Sequence, residues 1–185
     1  ICNTISIEGT TDDAASPTTR EATGGARNLV YAAVSPDEEA LCRGVRAKGV
    51  ELIERTKNHA KVLFHGAEAE YAVHHVFPFS SEKKCMSIII EEKATGTIRM
   101  ICKGADDKLI ALLTNPTSRE AFQCKEHLKE FANMGLRTLV FAERTMSQRE
   151  LDNLLEEHRN ASYSINDRAD KLDAVRTQFE CQFDL

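Results

Sequence analysis

The stretch MSIIIEEKATGTIRMICKGAD, Met86 to Asp106, decides the fold. Met86–Glu91 and Thr97–Cys102 are apolar runs on either side of Lys93-Ala94-Thr95-Gly96. Short runs rich in β-branched residues, joined by a glycine-containing turn, predict a β-hairpin. The second run alternates through Thr97-Ile98-Arg99-Met100-Ile101, the period of a strand with two different faces. Lys103 and Gly104 then close the strand, and a helix starts at Asp106. A cation beside bare backbone at a strand end is either a solvated turn or a place for something anionic.

Upstream of the hairpin the same period recurs. Val50–Glu54, Ala60–His65 and Tyr71–Phe77 read as strands, with Gly66 in a turn. Short strands with short turns predict an antiparallel sheet. Ser35-Pro36-Asp37-Glu38 opens a helix: Ser35 is an N-cap, Pro36 suits the first turn, and Glu38 stands three residues on, as in a capping box. Leu41 and Val45 are that helix's expected apolar stripe, and Gly49 its stop. Downstream come helices over Asp106–Leu113 and Ser118–Met134, the latter with Phe122, Leu128 and Phe131 on its apolar side and Gly135 as a stop. Leu136–Ala142 reads as one more strand, carrying Arg137 between Leu136 and Leu139. Ser147 with Glu150 repeats the capping box, opening a helix to near Arg159, and Asn166–Glu180 is a further helix. The expected class is α+β, a mostly antiparallel twisted sheet flanked by helices.

The chain has 185 residues, 42% hydrophobic and 29% charged, enough for one domain with a real core. A net charge of −5 argues against a broad nucleic-acid surface, which needs a basic excess. The six cysteines are scattered without a C-x-x-C pair, several within apolar runs, and read as free thiols of a reduced, intracellular protein. Gly9–Asn28 is almost devoid of large apolar side chains and reads as a mobile loop. No stretch has the apolar length of a bilayer span. The chain opens on Ile1 and closes on Phe183-Asp184-Leu185, so it reads as a single domain, 1–185, cut from something longer.

Most motif readings fail on their own chemistry. GVRAKG, Gly44–Gly49, has P-loop glycine spacing, but Val50-Glu51 follows where Lys-Ser/Thr belongs, and it closes a helix instead of opening one. His74 and His75 are neighbours on a strand and point to opposite faces. Cys124 and His127 share a helix face but supply two of the four ligands a structural zinc takes. No metal site and no catalytic residue is expected.

Four pieces remain: SPDE (Ser35–Glu38), FSSEKKCMS (Phe79–Ser87), CKGAD (Cys102–Asp106) and FANMGLRTL (Phe131–Leu139). In this order they resemble the nucleotide-binding domain of P-type ATPases, most of all the phospholipid flippases; KGAD and the upstream SPDE separate these from cation pumps. The resemblance covers nearly the whole chain outside Gly9–Asn28. It implies that Phe79 stacks on adenine, Glu38 approaches the purine edge, and Ser81 lines the pocket. Lys103 sits deep beside base and ribose, with Gly104 permitting close approach. Arg137 reaches a phosphate oxygen, and Lys84 matches the lysine of the family's loop. Two departures stand out: Cys85 replaces a usual arginine, which predicts weaker phosphate steering, and Asp107 stands where a small or apolar residue is usual.

The resemblance further implies ATP as ligand, with Mg²⁺ held mainly by other domains. It implies the phosphorylation, actuator and transmembrane domains of one parent chain as partners, and admits an accessory subunit. The chain is then a cytoplasmic domain of an integral membrane protein, monomeric when isolated, and without the phosphorylated aspartate it binds ATP but does not hydrolyse it. The parent couples hydrolysis to lipid flipping toward the cytoplasmic leaflet. Two alternatives stay open at this point: the corresponding domain of a cation-transporting ATPase, and a non-catalytic interaction module whose pocket has decayed.

Overall fold

The computed structural model of the protein describes residues 2–3, 5–10, 29–33 and 35–185. The chain divides into two compact units, one reaching Tyr71 and the other spanning Ala72–Leu185 together with Cys2. The hydrogen-bonded strand order is β1-β2 in a small sheet and β3-β4-β5-β6-β7-β8 in a larger one, so each strand of the larger sheet lies beside its neighbour in sequence. With five helices among the described residues this is the α+β class that the sequence implied.

In the first unit β1 (Ser6–Thr10) pairs antiparallel with β2 (Leu29–Ala32), a strand that the sequence pattern did not reveal. Gly9 and Thr10, read as the start of a loop, belong to β1; the rest of that segment lies outside the described residues. Helix α1 (Pro36–Arg46) has Ser35 as its N-cap, as expected, but the hydroxyl accepts from the Asp37 N–H at 3.3 Å, one residue before the position a capping box uses. Its buried face differs from the expected stripe. Glu38 and Cys42 are buried, whereas Leu41 and Val45 are 37% and 48% exposed. β3 (Val50–Arg55) and β4 (His59–Phe64) form an antiparallel hairpin, and the Tyr31 hydroxyl donates to the Leu52 carbonyl at 3.2 Å, tying β2 to β3.

β5 (Ala67–Ser80) crosses the boundary between the units and runs three residues beyond Phe77. β6 (Cys85–Glu92) and β7 (Ile98–Gly104) make the hairpin read from the sequence, and β8 (Val140–Met146) adds antiparallel to β7. Residues Cys85–Ile90 are all buried, so both faces of β6 are covered. Each fully buried isoleucine there contributes about 1.5–3 kcal/mol.

The second unit's core lies between the sheet and helices α2 (Asp106–Ala111), α4 (Gln148–Ser162) and α5 (Arg168–Phe179). Ile89, Met100, Cys102, Leu109, Leu151, Leu154 and Phe183 are the heart of it. The Ser147–Glu150 capping box forms in both directions: the Ser147 hydroxyl accepts from the Glu150 N–H at 3.2 Å, and the Glu150 carboxylate accepts from the Ser147 N–H at 2.7 Å. Helix α3 (Arg119–Asn133) departs from expectation. It buries Ala121 and packs Leu128 against the core, while Phe122 and Phe131 are 64% and 41% exposed, so two of the three residues read as its apolar side face solvent. Among the described residues none of the six cysteines is joined in a disulfide.

Candidate functional site

Four strand ends and one tight turn build the site. β5 ends at Ser80, β6 begins at Cys85, β7 ends at Gly104 and β8 begins at Val140. In an antiparallel sheet of that order these termini lie at one end. The Ser81–Lys84 turn joins two of them. Lys84 takes a left-handed backbone (φ 51°), its N–H donating to the Ser80 carbonyl at 2.7 Å and its carbonyl accepting from the Ala105 N–H at 3.0 Å. The second bond ties the turn directly to the end of KGAD.

Phe79 is 63% exposed and so is not part of the core. Ser81 and Lys84 follow it on the exposed turn. Lys103 is buried on the last turn of strand before the helix, and the ladder sets it opposite Met86 of β6 and Phe141 of β8. Phe79 and Lys103 stand on strands two places apart, roughly 9–10 Å by ordinary strand spacing. Arg137 is exposed and lies before β8, not within a strand: residues 136–139 precede the ladder, the Leu136 N–H donates to the Phe131 carbonyl at 3.0 Å, and Gly135 (φ 74°) makes the bend that leads into them. Phe79, Ser81, Lys84, Lys103, Gly104 and Arg137 thus share one end of the sheet. Glu38 belongs to the other unit, where it is 8% exposed in the first turn of α1.

The packing shows what two of these residues meet. The bareness of Gly104 is used by the neighbouring strand: a Cβ there would lie 2.6 Å from Cys85 Cβ and 2.8 Å from Cys85 Cα, and would collide with the Lys84 carbonyl. Cys85, expected to cost the pocket a charge, is 1% exposed and faces the helices, with its Sγ 3.6 Å from Arg176 Nη2. The other departure, Asp107, pairs with Lys84 at 3.4 Å. Both side chains are more than half exposed, so the pair is worth at most about 1 kcal/mol.

The two histidines read as incompatible with one ion do take separate partners. His74 Nε2 meets Glu91 at 2.8 Å, while the His75 ring packs edge-on against Phe77 and His158, with centroids 4.5 and 4.3 Å away. Burial, then the charge of His158, pushes His75 down to about 4.

Phe141 was not singled out from the sequence. Its signal was the alternation Val140-Phe141-Ala142: with Val140 and Ala142 in the core, Phe141 must turn to the face that carries Lys103, and it is 45% exposed there. Chemically, an aromatic ring, an ammonium and a guanidinium at one end of a sheet are groups that can stack a base and bind its anionic tail.

Sheet, helices and motif order together define a class, and comparison with known families agrees. The family model of the P-type ATPase cytoplasmic domain N matches residues 31–177, and the chain belongs to that family. Its curated relatives are more particular. It is 32% identical over 157 residues to the phospholipid-transporting ATPase C4F10.16c of Schizosaccharomyces pombe, covering 85% of this chain and 11% of that protein. It is 34% identical over 155 residues to the phospholipid-transporting ATPase DRS2 of Saccharomyces cerevisiae, covering 83% and 11%. The phospholipid-transporting ATPase IC of Xenopus tropicalis is 33% identical over 157 residues, covering 85% and 12%. The chain therefore spans about a ninth of the length of these relatives. Among the described residues no helix is long and apolar enough to cross a membrane.

Proposed function

We propose that this chain binds ATP as the cytoplasmic nucleotide-binding domain of a phospholipid-translocating P-type ATPase. The observation that carries the reading is an exposed Phe79 ring at the sheet end that also holds Lys103 and Arg137. Adenine stacks on Phe79. The Lys103 ammonium, with Met86 and Phe141 beside it, meets the polar edge of base and ribose. Arg137 and Lys84 bind phosphate oxygens from the exposed side. Mg²⁺, when bound with ATP, offsets phosphate charge, and the other domains of the parent hold it.

The parent transfers the γ-phosphoryl group to an aspartate of its phosphorylation domain and couples that cycle to lipid movement toward the cytoplasmic leaflet. The names of the relatives favour lipid over cation as the cargo. The chain's part is positioning, which with electrostatic stabilisation accounts for most of the catalysis of phosphoryl transfer. Stacking contributes about 1–3 kcal/mol and a charge-assisted bond about 1.5–3 kcal/mol. Association entropy of at least about 4 kcal/mol opposes them. Binding by the chain alone is therefore weak.

Calorimetric or fluorescence titration with ATP tests the assignment through Phe79→Ala. The variant is expected to lose about 1–3 kcal/mol, roughly 5- to 150-fold in Kd. Undiminished affinity would remove Phe79 from the site and leave the decayed-pocket module as the better reading.

A further inference from the structure

The helix-facing side of the sheet carries a cluster that nucleotide binding does not use. Cys85 stands opposite Gly104 and Cys102 opposite Ser87, so the two cysteines are diagonal neighbours on one face. With no side chain at Gly104, nothing from that position intervenes. Glu180, just past α5, reaches the same spot and accepts from the Ser87 hydroxyl at 2.5 Å. The two sulfurs and a Glu180 carboxylate oxygen lie within 4.8 Å of one another. Cys85, Cys102, Glu180 and Ser87 are 1%, 0%, 3% and 0% exposed. Arg176 borders the group, its Nε 2.7 Å from the Glu180 carboxylate and its Nη2 3.0 Å from the Cys85 carbonyl.

We infer that Cys85, Cys102 and Glu180 form a binding site for a thiophilic divalent cation of the zinc class. Buried thiols alone are ordinary core filling. A carboxylate converging on two of them is a donor set, and its charge balance suits a metal. Two thiols, one carboxylate and one guanidinium sum to zero. Replacing the two thiol protons by one divalent cation gives two thiolates, a carboxylate, a guanidinium and the ion, again zero. Loading the site adds no net buried charge, the condition under which ions are tolerated inside proteins.

The geometry is close to complete. Zinc takes Cys sulfur at about 2.3 Å and carboxylate oxygen at about 2.0–2.2 Å, so tetrahedral donors sit roughly 3.3–3.8 Å apart. A contraction of about 1 Å from the present spread achieves that. The Ser87 hydroxyl or a water supplies the fourth position. Arg176 orients the carboxylate, as an outer partner does in metal sites. Entry is through a cavity of about 290 Å³ lined by Lys83, Cys85, Lys108, Thr177 and Glu180 among others. That cavity shares no residue with the proposed nucleotide pocket, and thiolate ligands select zinc over magnesium, so this is not the Mg²⁺ of ATP.

The reduced, metal-stripped chain should be titrated with Zn²⁺ and with Cd²⁺ against a chromophoric chelator. The expected result is one ion per chain, an ultraviolet thiolate-to-cadmium charge-transfer band, and two protons released per ion. These three readouts need no variant. Cys85→Ala and Cys102→Ala should each weaken binding beyond the roughly 10- to 100-fold that loss of an outer partner costs. Cys124→Ser should leave it unchanged. The proposal is overturned if the native chain retains no ion at micromolar free zinc, or if the ion binds without a thiolate band. It is equally overturned if zinc survives Cys85→Ala but leaves with Cys124→Ser, which would place it on the surface at Cys124 and His127.

Discussion

Replacing Gly104 by alanine tests how tightly the site end of the sheet is closed. The added methyl would lie 2.6 Å from Cys85 Cβ and 2.8 Å from Cys85 Cα, and would overlap the Lys84 carbonyl. Backbone atoms cannot swing aside as a side-chain tip can, so β6 and β7 must part by about 1 Å to regain ordinary carbon contact. Parting stretches the 3.0 Å bond from the Ala105 N–H to the Lys84 carbonyl and the ladder between Cys85 and Gly104. Overpacking costs about 1–3 kcal/mol, and weakening two backbone hydrogen bonds about 0.5–1.5 kcal/mol each, for a total of about 2–6 kcal/mol. Against a whole-domain stability of about 5–15 kcal/mol that is a large share. Urea unfolding followed by far-UV circular dichroism should show the midpoint fall by about 1 M or more, given slopes of about 1–3 kcal/mol/M. Amide exchange at Lys84, Cys85 and Ala105 should quicken before the rest of the sheet. A variant within about 0.5 kcal/mol of the native chain, the range of an ordinary surface change, would show that the strands do not approach this closely.

Arg176→Met strips the partner from Glu180 and the donor from the Pro78 and Cys85 carbonyls, and should cost about 3–5 kcal/mol in the urea midpoint; Arg176→Met with Glu180→Gln should recover part of it, and no loss in the single variant would contradict a buried pair. His75 is held neutral down to about 4 while its unfolded form protonates near 6.5, so the unfolded chain binds the extra proton between these values and stability falls as pH drops through that window. The full shift corresponds to about 3 kcal/mol and, discounted for partial solvent access, to about 1–2 kcal/mol. Denaturation at pH 7 and pH 4.5 should show His75→Phe to be less acid-sensitive than the native chain; identical profiles would count against the assignment. Ser147→Ala removes the hydroxyl that caps α4 and should cost about 0.5–2 kcal/mol in thermal unfolding, whereas no change in Tm would mean that the capping box adds nothing.

What could be read from the sequence was local. The Met86–Cys102 hairpin, the α1 start at Ser35 and the Ser147–Glu150 box depend on residues a few positions apart, and the structure has them nearly where the pattern put them. The strand read as Tyr71–Phe77 runs on through Pro78 to Ser80, and the Pro78 carbonyl is bound by Arg176 at 2.9 Å. Helical periodicity located an apolar stripe on α3 but could not say what it meets, and Phe122 and Phe131 face solvent while Ala121 packs inside. The same limit misassigned α1, where Glu38 and Cys42 are buried in preference to Leu41 and Val45. At the site, Phe79, Lys103 and Arg137 came from motif order; Phe141 needed the β7–β8 register. The convergence of Cys85, Cys102, Arg176 and Glu180 joins positions far apart along the chain, and no local pattern announces it.

Amide chemical-shift mapping of the native chain during titration with ATP tests nucleotide binding most directly. The account predicts saturable shifts concentrated at Phe79, Ser81, Lys84, Lys103, Gly104 and Arg137, with little movement on α4 and α5. A spectrum that stays unchanged at millimolar ATP, or one that moves only away from that end of the sheet, would contradict it.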